Sequence, residues 1–160
     1  MMRRLLPLLC VLLAACAPGQ PGGALQADAL GLAGVHSRQV VISDHPHHVI
    51  LGHVIIARQG GDVSRALILS HQWDGVHRLR VTGAWNGGRT LPVRPLPRND
   101  GCTRATCRNG PIGMILLDGP GLAAAAEGGL TARLHTNAGP VALTVPPRLF
   151  AEAMARDIAP

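Results

Sequence analysis

Val49-Ile50-Leu51-Gly52-His53-Val54-Ile55-Ile56 is the stretch on which the fold turns. Five of its eight residues are β-branched, and Leu51 adds a sixth apolar side chain. Branching at Cβ restricts χ1 in a way that suits a pleated strand better than a helix. The run does not alternate with polar residues, which predicts a strand covered on both faces. Gly60-Gly61-Asp62 turns the chain, and Ala66-Leu67-Ile68-Leu69 is a second apolar run of the same kind. Two such strands joined by a glycine turn predict a mainly β chain.

Outward from this pair, short strands and turns continue. Val40-Val41-Ile42 is a β-branched run upstream. Downstream, Asp74-Gly75 is a hairpin signal. From Val76 to Trp85 the residues alternate, with Leu79, Val81 and Trp85 expected on one face and Arg78, Arg80 and Thr82 on the other. Asn86-Gly87-Gly88 turns again. Pro92, Pro95 and Pro97 lack the ladder donor, so Leu91 to Pro97 reads as an edge strand or loop. Ile112 to Leu117 is a further strand. Asp118 is placed to cap a short helix, with Pro120 in its first turn and Gly128-Gly129 as its stop. Leu130, Ala132 and Leu134 alternate inward, as do Val141, Leu143 and Val145 after the turn at Asn137 to Gly139. Pro147 opens a final helix, whose Phe150, Met154 and Ile158 form one expected apolar stripe. The fold class expected is an antiparallel β-sandwich or barrel-like meander with one short helix and a C-terminal helix.

The 160 residues are 47% hydrophobic, ample for a core, yet Tyr is absent and Phe150, Trp73 and Trp85 are the only aromatics. The core must come from Val, Ile, Leu and Ala. All 15 basic residues are Arg, and the formal net charge is +6. No dense basic run occurs, so most arginines are expected to solvate the surface.

The N-terminus has its own pattern. Met1-Met2-Arg3-Arg4 is a short positive segment, and Leu5 to Ala15 is an apolar run of eleven residues broken only by Pro7. A spanning helix needs about 20 apolar residues; eleven is the length of a signal-peptide core. Small Ala14 and Ala15 precede Cys16. Leu13-Ala14-Ala15-Cys16 resembles the lipobox of bacterial lipoproteins. The resemblance covers about the first 17 residues. It implies that Cys16 is acylated and becomes the first residue of the mature chain. Ala17, where an Asp would imply inner-membrane retention, implies the outer membrane, facing the periplasm. The expected organisation is a signal peptide over 1–15, a lipidated Cys and flexible tether over 16–35, and a single β-rich periplasmic domain over 36–158. A tether of about 19 residues reaches on the order of 25 Å. Within it, 24–32 could form a weak helix. The expected partners are the membrane, through the lipid, and an envelope protein or anionic envelope component; nucleic acid is not expected for an exported chain.

Cysteine usage fits that compartment. Cys102 and Cys107 are expected to form a local disulfide in an oxidising setting; their C-x4-C spacing is not that of a redox dithiol. Histidine is the enriched ligand type. His45, His47 and His48 lie in Asp44-His45-Pro46-His47-His48, with His53 six positions beyond His47. Imidazoles suit Zn or Cu, so His45, His47, His48 and His53 are the candidate metal residues. His36 could meet them only across strands, and His71, His77 and His135 read as strand-end or surface residues. No nucleophile elbow, phosphate loop, dinucleotide fingerprint or metalloprotease helix occurs; Asp62, Asp74, Asp100 and Asp118 lie where turns and caps want them, and Glu127 and Glu152 fall on the expected helices. No catalytic residue is expected, and no enzyme. From about residue 100 to 158, the close Cys pair, strand, short helix, two strands and terminal helix are similar to the C-terminal region of exported proteins of the invasion-associated locus B type. The expected function is that of a non-catalytic outer-membrane lipoprotein whose β domain binds a protein or envelope component. The alternative is a periplasmic Zn- or Cu-binding lipoprotein.

Overall fold

The structure is a computed structural model that describes residues 20–27, 31–72, 78–96 and 109–158. Cys16, the Cys102/Cys107 pair, Trp73 and the Asp74-Gly75 turn lie outside the described residues.

Two antiparallel sheets carry the chain. The larger runs, in spatial order, β1 (Gly23–Ala27), β2 (Leu32–His36), β4 (Val49–Gln59), β5 (Asp62–Gln72), β9 (Asn109–Leu116) and β8 (Val93–Pro95); β3 (Val40–Val41) also pairs with β4. The smaller runs β11 (Gly139–Val145), β10 (Leu130–Thr136), β6 (Val81–Asn86) and β7 (Arg89–Leu91). Helix α1 (Gly119–Gly128) follows β9, and α2 (Pro147–Ile158) follows β11.

The opening stretch sits where its composition requires. β4 and β5 pair over their full lengths, from Val49 against Gln72 to Gln59 against Asp62. Gly60 makes the turn at φ +60°. Ile50, Val54, Ile56, Leu67 and Leu69 enter the core, while Leu51, Ala57, Ala66 and Ile68 on the opposite face are buried as well. Gly52 has a packing reason. A Cβ there would stand 2.6 Å from Ile42 Cδ1, so glycine lets Ile42 drop onto β4.

Ile42 and its neighbours join the sheets. Ser43 bridges Leu143, Thr144 N–H donates to Ile42 C=O at 2.8 Å, and Asp44 N–H donates to Ala142 C=O at 3.3 Å. On the other side Pro92 separates β7 from β8, so the chain passes from the smaller sheet to the larger. The result is a barrel-like sandwich. Its interior is filled from the smaller sheet by Leu130, Ala132, Leu134, Val141, Leu143 and Val145. The alternation expected for β10 and β11 is what is seen.

The N-terminal boundary differs from expectation. Residues 23–27 and 32–36, expected as tether and weak helix, are strands paired from Gly23–His36 to Ala27–Leu32, and β2 pairs with β4. Edge pairing is made by backbone groups, so a Gly/Ala-rich segment without a strand pattern can still complete a ladder. Gly34 is part of the fit: a Cβ there would lie 2.2 Å from Ile56 O. Of the stretch expected as tether over 16–35, residues 23–27 and 32–35 belong to the sheet.

The helices follow their signals. Asp118 accepts the Gly121 N–H at 2.7 Å, Pro120 occupies the first turn, and Gly129 closes α1 at φ +76°. In α2, Phe150 is fully buried and Met154 partly so, but Leu149 and Ala153 complete the docked face. Ile158 is 80% exposed and does not belong to it.

Candidate functional site

Strand β6 places an aromatic ring where alternation does not predict it. Leu79 and Val81 are buried, and so is Ala84, three positions beyond Val81. The pairing with β10 explains the odd spacing. His135 opposes Gly83, but Thr136 opposes Val81, so the register slips at Thr82. Such a bulge moves every following side chain to the other face. Trp85, expected inside with Leu79 and Val81, is thereby turned outward. Gly83 within the strand was the only local sign of it; the Trp85 ring lies over this glycine.

Outside, Trp85 meets a polar surface. It stands directly opposite Arg133 on β10 and Thr90 on β7. Its ring centroid is 3.8 Å from that of His135, with the planes at 52°. The cleft around it measures about 570 Å³. Asn86, Thr131, Arg133 and Thr144 supply its polar lining, and Gly87 and Gly88 form the adjoining turn. Among the described residues, no carboxylate, Ser or Cys lines it. The arrangement offers an aromatic platform, hydroxyl and amide hydrogen bonds, and positive charge. The residue that organises it was not singled out from sequence, because the bulge that exposes it depends on the partner strand.

The other described histidines divide into two groups. His45 and His48 rings are 4.8 Å apart, and His45 and His47 6.0 Å, in the loop leading into β4. The His47 N–H donates to His45 Nδ1 at 3.1 Å, which folds this loop on itself. Ser43 Oγ braces it by donating to His48 C=O and accepting from Ile50 N–H, both at 2.8 Å. His71, read from sequence as a strand-end residue, is buried on β5, opposite Ile50, with its ring 5.6 Å from that of His48.

His53 lies apart from them. Its ring is 6.1 Å from His36, the cross-strand neighbour. Its buried Nδ1 has no hydrogen-bond partner among the described residues. Burial, and then the neighbouring His36, lower its pKa to about 4. The four candidate metal residues are thus not one cluster: His45, His47 and His48 gather with His71, and His53 pairs with His36. Among the described residues, no three His, Cys, Asp or Glu side chains are arranged to hold a metal ion.

Compared with protein-family models, curated proteins and solved structures, the chain matches none.

Proposed function

We propose that this chain is a non-catalytic outer-membrane lipoprotein whose β domain binds an anionic envelope component in the Trp85 cleft. The observation that carries this is the cleft itself: an outward tryptophan, set by a bulge, among Arg133, His135 and hydrogen-bonding side chains, with no carboxylate among the described residues that line it. Stacking on Trp85 would hold an apolar ring face, and Arg133 would meet a phosphate or carboxylate. The Leu13-Ala14-Ala15-Cys16 pattern supports the address. In this reading Cys16 carries the anchor, and the ligand lies in the same envelope.

The test is a titration of the purified protein with a phosphorylated glucosamine disaccharide and with its dephosphorylated form. The phosphorylated sugar should bind at least tenfold more tightly, and added salt should reduce the difference. Equal affinity for the two sugars would refute an anionic ligand.

A further inference from the structure

We infer that α2 lies on the membrane surface, its arginine-flanked outer side against anionic phospholipid headgroups, as a second attachment beside the lipid. This rests on the reading of Cys16 as the acylated residue.

Chain length brings the helix there. Gln20 C=O accepts the Gln39 N–H at 3.0 Å, which fixes the start of the described chain to the domain. Gly22 then sits against Glu152 and Arg156 of α2. Four residue steps separate Cys16 from Gln20, and a fully extended chain covers at most about 3.6 Å per step. The acylated residue can therefore stand no more than about 14 Å from Gln20. The headgroup layer of one leaflet is several ångströms thick, so little length remains to hold the α2 side of the domain away from it.

The surface presented there is suited to such a contact. Arg148, Ala151, Ala155 and Ile158 recur at spacings of three and four, one outward stripe of the helix. All four are exposed, and none is acidic. Ile158 is the most exposed large apolar residue described, at 80%. The acids beside the stripe are engaged. Glu152 holds Arg38 at 2.7 Å and Arg156 at 3.2 Å, and Asp157 is paired with Arg58. The rim is left with an excess of guanidinium groups, which attract anionic lipid.

The test uses the full lipidated chain in vesicles of phosphatidylethanolamine and phosphatidylglycerol that contain brominated phospholipid. An Ile158→Trp variant is compared with a His47→Trp variant, each against the unsubstituted chain. His47 precedes the start of β4, whereas Arg58, near its end, reaches α2. The tryptophan at 158 should be quenched at least twofold more than that at 47, and Arg148→Glu should lower its quenching. Equal quenching, no dependence on phosphatidylglycerol, or dependence on protein density alone, as for contact with a second copy, would overturn the contact. Mass spectrometry of Cys16 separates the two readings. A chain without acyl groups refutes the anchor; an acylated chain with equal quenching refutes only the α2 contact.

Discussion

At His53 a titratable ring sits on β4 beside His36, with its buried Nδ1 lacking a hydrogen-bond partner among the described residues. Its folded pKa of about 4 lies below the ordinary 6.5, first because burial disfavours the charged ring and then because of His36. Between those values the unfolded chain binds the proton and the folded chain does not. Stability therefore rises with pH through this window: the contribution is present in full above about 6.5, falls as pH drops, and is gone below about 4. A shift of this size corresponds to at most about 3 kcal/mol. His53→Leu replaces the ring with a side chain suited to its neighbours Leu51, Ile55 and Ile68. Urea unfolding at pH 7 and pH 4.5 should show a smaller loss of stability for the variant than for the unsubstituted chain; equal losses would show that another group titrates. The pairing of His36 with His53 was foreseeable only as a cross-strand contact. His71 and Trp85 could not be placed from sequence, since one depends on the ladder of β4 with β5 and the other on a bulge against β10. Local composition contains neither.

Among elements, the helices were the most legible and the N-terminal strands the least. Asp118, Pro120 and Gly129 act on the helix that contains or adjoins them, so α1 could be bounded from sequence. β1 and β2 are held by main-chain pairing, which leaves no side-chain signature. The opening run was legible for the opposite reason: burial on both faces of β4 demands apolar residues throughout. For α2 the apolar period was visible, but which residues meet the core depends on how the helix docks. Phe150 at 0% exposure and Ile158 at 80% mark its two sides. Phe150→Ala should cost about 3–5 kcal/mol through loss of burial and the cavity left behind. Ile158→Ala should change stability by no more than about 0.5 kcal/mol. Denaturant midpoints for the two variants check this, and similar losses would mean that the helix docks through a different face.

For the whole molecule, the mainly β class and most strands from β3 onward could be read from turns and apolar runs, but β1, β2 and the spatial order of the strands could not. The join of the sheets runs through Ser43 and Leu143, a hundred residues apart in the chain. A contact of that separation is specified by the closed shape and by the room that Gly52 leaves for Ile42, not by a local pattern. The closed shape has a functional consequence. Its interior is filled by side chains from both sheets, so the Trp85 cleft lies on the outer face of the smaller sheet, built over the same β10 and β11 strands whose inner faces form the core. A ligand there would meet a surface backed by the packed core. The most direct measurement of the central claim is the affinity of the phosphorylated disaccharide for the unsubstituted protein and for Trp85→Ala, with thermal unfolding run alongside to verify that the variant is folded. Loss of the stacking platform should weaken binding at least tenfold in a folded variant. A folded Trp85→Ala protein that binds the sugar as tightly as the unsubstituted chain would contradict the account.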